Sequence, residues 1–181
     1  MLEIENTALA VIDVQGKLAQ RVHDHEKVLN HIQHFIKAAE AFKLPVLWSE
    51  QAPDKIGDTL ASIKSLIAPL AKPIHKRSFS CWGCLQYVEE LKKINRRQII
   101  ITGIESHVCV YQTAVDLQTH GYQVHIIADA VSSRHEFDHQ MAIARMRDHK
   151  IAIMSMEMAI CELLKTADHP DFKKIIAHIK G

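Results

Sequence analysis

Thr7–Val14 reads TALAVIDV, a short and nearly continuous apolar run, and five more such runs follow it with helical patterns in between. A strand apolar on both sides must be buried on both faces, which is the habit of parallel sheets. The later runs are LPVLWSE (Leu44–Glu50), KPIHK (Lys72–Lys76), RQIIITGI (Arg97–Ile104), YQVHIIADA (Tyr122–Ala130) and IAIMS (Ile151–Ser155). Pro45 stands at the start of its run, where a missing N–H is tolerated. Between the first two runs, Val28, Ile32, Phe35, Ile36, Ala39 and Phe42 fall at helical spacing. DTLASIKSLI, LQYVEELKKIN, HVCVYQTAVDLQTH and FDHQMAIARMRDH are further helices, the third closed by Gly121 as a C′ glycine. The tail CELLKTADHPDFKKIIAHIK holds one or two more. No linker, repeat or low-complexity segment interrupts the pattern, so residues 1–181 read as one domain.

Strands alternating with helices imply a six-stranded parallel sheet covered on both faces, with right-handed crossovers. Ligands in such folds bind beyond the carboxyl ends of the strands, where strand order reverses. The strand ends carry Asp13 on the first strand, Trp48, Ser49, Glu50 and Gln51 on the second, and His75 and Lys76 on the third. The fourth runs into Glu105, Ser106, His107 and Cys109, and the fifth ends in Asp129. Taken singly, Asp13 is equally a turn cap, Lys76 a surface lysine and Cys109 a small core residue. Together they place an acid, a cation and a thiol on one rim. Cys109 also stands where a strand becomes a helix, and free N–H groups there favour a thiolate. These effects, with Lys76 nearby, predict a thiol pKa below the usual value of about 8.5 and the most reactive of the four cysteines. Asp13 opposes the shift unless the acid and thiol share one proton.

Twenty-two basic and 21 acidic side chains leave a net charge of +1, which gives no reason to expect nucleic acid or an anionic membrane as partner. No apolar run approaches the length of a membrane span, and the N-terminus lacks the basic start of a signal peptide. A cytoplasmic protein with reduced thiols is the expectation. Cys81 and Cys84 form a single C-x-x-C after the third strand, with no second pair to complete a zinc site and no thioredoxin-like placement. Cys161 lies on an apolar helical face and reads as core, and the histidine-rich segments 23–34 and 135–149 read as solvated helix faces.

ALAVIDVQ with Asp13, KRSFS opening at Lys76, and ITGIESHVCVYQTAVDL with Cys109 resemble, in the same order, the three signatures of the isochorismatase-like cysteine hydrolases. SEQAPDKIGDT is similar to the small isochorismatase-domain branch of that family. The resemblance implies a Rossmann-like three-layer α/β/α sandwich and a catalytic triad of Asp13, Lys76 and Cys109. It further implies a cis peptide at Ile104–Glu105, and an oxyanion hole from N–H groups near Glu105 and Cys109. It implies a homo-oligomer too, for which the aromatic and little-charged CWGCLQY segment is the candidate interface. Nicotinamidases of the family carry an Asp-x-His…His metal motif after the second strand. WSEQAPDKIG has no histidine there, so neither metal nor cofactor is expected. True isochorismatases split a vinyl ether without needing a cysteine, so Cys109 favours acyl chemistry on a C–N bond of a small molecule. A non-enzymatic or redox-sensing oligomer and an ether or ester hydrolase are the alternatives. By residue type, Trp48, Gln51, Phe79, Trp82 and Tyr111 are the expected substrate contacts.

Overall fold

The computed structural model describes residues 1–177. The strands are β1 (Thr7–Ile12), β2 (Val46–Gln51), β3 (Pro73–Lys76), β4 (Gln98–Ile104), β5 (Gln123–Ser132) and β6 (Ala152–Met154). All pair in parallel in the order β3-β2-β1-β4-β5-β6. The helices are α1 (Gly16–Ala19), α2 (His25–Ala41), α3 (Pro53–Ile56), α4 (Ala61–Ile67), α5 (Leu85–Ile94), α6 (Tyr111–Thr119), α7 (Glu136–Asp148), α8 (Met156–Leu164) and α9 (Phe172–Ile176). This is the three-layer α/β/α sandwich with six parallel strands that the sequence implies. The expected tail helices are α8 and α9, and the end of that stretch, 178–180, lies outside the described residues.

Period-two alternation in β1 feeds two cores. Leu9 and Val11 pack with Val28, Ile32, Phe35 and Ile36 of α2, Ile63 and Ile67 of α4, and Ile160 and Leu163 of α8. Ala8, Ala10 and Ile12 pack on the other face with Tyr87 and Leu91 of α5, Ala114 and Leu117 of α6, and Met146 of α7. Each fully buried Leu, Ile or Phe side chain contributes roughly 1.5–3 kcal/mol over an exposed one. Helix α6 ends in a Schellman turn. Gly121, at φ +86°, donates to Gln118 O at 3.0 Å, and Tyr122 N–H donates to Leu117 O at 3.1 Å.

Two expectations about side-chain placement change. Cys161 is exposed, because the buried stripe of α8 is Met156, Ala159, Ile160, Leu163 and Leu164, and residue 161 falls outside that 3–4 spacing. The histidines are not all solvated. Nδ1 of His31 meets Asp129 O at 2.9 Å, and Nδ1 of His139 meets the Ser106 hydroxyl at 2.9 Å. In the CWGCLQY segment Leu85 is 75% exposed, whereas Cys81 and Tyr87 lie in the core.

The strand order reverses between β1 and β4. Gly103 allows those two strands to meet: at φ +116°, a Cβ on it would stand 2.0 Å from Ile12 O. The register between β4 and β5 slips at the same point, between Ile101 and Gly103, as glycine in a strand often marks. The chain segments leaving β1 and β4 therefore emerge side by side.

Candidate active site

Asp13 leaves β1 in the left-handed conformation at φ +51°, which aspartate tolerates better than most residues. Its N–H donates to Ser49 O at 3.2 Å and its carbonyl accepts from Gln15 N–H at 2.8 Å, so the turn is held at both ends. The carboxylate is 5% exposed and the Lys76 side chain 0%. Lys76 Nζ donates to Asp13 Oδ2 at 2.7 Å, Gln51 Oε1 at 2.8 Å, and the backbone oxygens of Phe79 and Ser78 at 2.9 and 3.3 Å. Burial is the largest single effect and works against the ammonium, but the charge and hydrogen bond of Asp13 together with the nearby Cys81 and Cys109 sulfurs outweigh it and hold the Lys76 pKa above its ordinary value.

Ser49, fully buried, donates its hydroxyl to Asp13 Oδ1 at 2.7 Å and accepts the Cys81 thiol at 3.6 Å. Burial first, and then Asp13, push the Cys81 thiol up to about 11, with Lys76 opposing. Gln15, also fully buried, ties the turn to the end of β2. Its amide donates to Gln51 O at 3.1 Å and Gly57 O at 2.6 Å, and its oxygen accepts from Gln51 N–H at 2.6 Å. Neither Ser49 nor Gln15 stands out as functional in the sequence. The one signal for both was a polar residue where an apolar strand ends on the rim.

Cys109 lies in a π-helical turn, Ser106–Val110, that leads from β4 into α6. Val108 and Val110 both donate to Glu105 O, at 3.1 and 3.2 Å, and the Ile104–Glu105 peptide is cis. The expected low thiol pKa is corrected here. Burial first, then the Asp13 charge, push the Cys109 thiol up, and the pull of Lys76 does not overcome them. Depth of burial, which residue order does not reveal, decides the sign. At pH 7, iodoacetamide should therefore label exposed Cys161 well before buried Cys109, with Cys109 labelling climbing above about pH 8.5. Peptide mass analysis of a time course checks this, and Cys109 reacting first at pH 7 would contradict it.

A cavity of about 120 Å³ opens onto Cys109. Asp13, Gln15, Gln51 and Glu105 line it together with the apolar Leu18, Ile56, Phe79, Ile104 and Val108. Of the five residues expected to contact substrate, Gln51 and Phe79 line this cavity and Trp48, Trp82 and Tyr111 do not. Trp48 is 1% exposed on the opposite face of β2 from Ser49, where its indole N–H donates to Thr59 at 2.8 Å. Trp82 stacks on His120 with centroids 3.8 Å apart, and the Tyr111 hydroxyl meets Arg145 and His149 at 3.0 and 3.1 Å. Aromatic type alone did not reveal which face each ring takes. Asp129 also lies away from the cavity, accepting Met156 N–H at 2.8 Å at the start of α8. A wider groove of about 570 Å³ beside Pro45, Pro69 and Pro73 contains none of Asp13, Lys76 or Cys109.

Among the described residues, no group of three or more His, Cys, Asp or Glu is placed to hold a metal ion, and no helix is long and apolar enough to cross a membrane.

A doubly wound parallel sheet with an acid, a lysine and a thiol gathered at its switch point defines an α/β class with a pocket at the strand ends. The model of the isochorismatase domain matches residues 7–158, and the chain belongs to the isochorismatase family. It is 34% identical over 172 residues to isochorismatase domain-containing protein 2B of Mus musculus, covering 94% of this chain and 80% of that protein. It is 32% identical over 175 residues to isochorismatase family protein 1B of Dictyostelium discoideum, covering 95% and 85%. The solved structure of MAR1 ribonuclease from Caenorhabditis elegans superposes with a TM-score of 0.90 at 33% identity, covering 99% of this chain and 92% of that one.

Proposed function

We propose that the chain is a cysteine hydrolase that cleaves the C–N bond of a small amide through Cys109, Asp13 and Lys76. The observation that carries this reading is the Asp13 carboxylate itself. One of its oxygens is held by Lys76 at 2.7 Å and the other by Ser49 at 2.7 Å, and Asp13 lines the same cavity as Cys109.

The raised thiol pKa sets the order of events. Cys109 waits as a thiol, and its proton passes to Asp13 as sulfur attacks the amide carbonyl. The N–H of Cys109, lying between the two valine N–H groups already spent on Glu105 O, is the donor assigned to the oxyanion. Collapse of the tetrahedral species breaks the C–N bond, and Asp13 passes its proton to the departing amine. A water then gives its proton to Asp13 and attacks the thioester. The acid is released and the proton returns to sulfur. Lys76 stays protonated throughout and offsets the negative charge as it moves between oxygen and sulfur. The site does not suit the ribonuclease chemistry in the C. elegans neighbour's name. The cavity is smaller than the roughly 300–1,000 Å³ of drug-sized sites, and no cation among the described residues lines it to meet a phosphate.

Acid-quenching the enzyme with short amides, esters and isochorismate, followed by mass analysis, tests the reading. Amides should leave an acyl group on the Cys109 peptide and release ammonia, and Cys109→Ala should do neither. Ammonia release that persists in Cys109→Ala would remove the thiol mechanism, and turnover confined to isochorismate or esters would replace the substrate class.

A further inference from the structure

Charge and hydrogen-bond capacity at the cavity narrow the substrate further. No Lys, Arg or His among the described residues lines it, whereas two acids, Asp13 and Glu105, do. Lys76 stands just behind, but its three ammonium hydrogens already face four acceptors and its side chain is 0% exposed. Glu105 is 8% exposed. Its Oε1 takes both Arg134 donors, backbone N–H at 2.9 Å and Nε at 3.1 Å, and no hydrogen bond reaches Oε2 from the described residues.

We propose that the cavity selects uncharged amides on a short alkyl chain and turns away carboxylate-bearing analogues, with Glu105 setting the preference. The inference rests on the reading of Cys109 as nucleophile. A substrate carboxylate would lose its water beside two acids whose cations, Lys76 and Arg134, lie outside the lining and are already paired, and would gain no free cation in return, an arrangement that disfavours it. A neutral amide instead brings N–H donors that the unused oxygen of Glu105 accepts. Leu18, Ile56 and Phe79 of the same lining suit the alkyl portion.

Iodoacetamide and iodoacetate form a matched probe pair, alike in leaving group and size and differing in amide against carboxylate. Their rates on Cys109 and on exposed Cys161 are measured in the same folded molecule at about pH 9. Both reagents meet the same thiolate at a given cysteine, so the ratio at each cancels its thiolate fraction, and Cys161 corrects for intrinsic reactivity. The amide-to-acetate rate ratio at Cys109 should exceed that at Cys161 by about tenfold or more, in keeping with like-charge exclusion. Glu105→Gln should bring the two ratios to within about threefold of each other by removing that charge. Equal ratios in the unsubstituted protein would overturn the selectivity while leaving the nucleophile standing, and this holds even should Glu105→Gln fold poorly. A ratio that stays high in folded Glu105→Gln would overturn the role of Glu105. Cys109 inert to both reagents, with no acyl group on its peptide after acid quench with amides, would remove the nucleophile and both readings with it.

Discussion

Lys76→Met should destabilise the protein by about 3–5 kcal/mol and abolish turnover, because it leaves the Asp13 carboxylate buried without its counter-charge. The two side chains are 0% and 5% exposed and 2.7 Å apart, so the orphaned charge is left largely desolvated. Gln51 and the backbone oxygens of Ser78 and Phe79 also lose their donor. Each unsatisfied buried acceptor adds a desolvation cost of about 1–3 kcal/mol. Adding Asp13→Asn should recover a large part of the lost stability, since the double variant carries no unpaired charge, yet restore no activity. Urea unfolding of both single variants and the double one gives the coupling energy directly. Independent, additive losses would show that the pair is not energetically joined. The thiol reports the same change. Lys76 is the one group that pulls the Cys109 pKa down against burial and Asp13, so Lys76→Met should slow alkylation of Cys109 further.

Gly103→Ala carries the largest expected backbone effect. The added methyl would lie 2.0 Å from Ile12 O and 2.7 Å from Ile12 N, at a φ of +116° that alanine avoids. The atoms it meets are backbone, so no side chain can rotate away, and β1 and β4 must part. A cost of about 4 kcal/mol or more is expected, a size reserved for such named faults. For a chain of this length that is a fall in Tm of roughly 8–16 °C. Ile12 is followed by Asp13, and Gly103 by Ile104 and Glu105, so the displacement enters the cavity. A shift of about 1 Å can cost roughly a hundredfold in rate. Calorimetry, with activity measured well below the new Tm, checks both effects. An unchanged Tm would mean the close approach of the strands is not needed.

The large-scale arrangement was legible because buried parallel strands and amphipathic helices have different periods. Val28, Ile32, Phe35, Ile36 and Ala39 were named as the inner face of α2, and all are buried. Asp13, Lys76 and Cys109 stand on one rim because each ends or follows a strand of one parallel sheet, so chain direction alone places them there. What stayed hidden depends on orientation and depth. Trp48 and Ser49 are adjacent in sequence, yet alternation sends the ring to one core and the hydroxyl to Asp13. The Cys109 pKa was misread because a helix start was visible and burial was not. The π turn carrying it has no signature in ITGIESHVCV that separates it from an ordinary first helical turn.

The strand order also dictates when the pocket can exist during synthesis. Asp13 and Lys76 are on the N-terminal half of the sheet, β3-β2-β1, while the thiol arrives only with β4 in the centre. A nascent chain stopped after β3 has the acid and the lysine but nothing beside β1 on its inner edge. The six β1–β4 partner pairs, Thr7 to Gln98 through Ile12 to Gly103, span some of the longest sequence separations in the sheet. Closing such a loop is slow, and an uncovered apolar edge is exposed to aggregation while it waits. Maturation of the pocket and sealing of the sheet are therefore one event, and a half-made chain cannot perform premature chemistry because its nucleophile has yet to be translated.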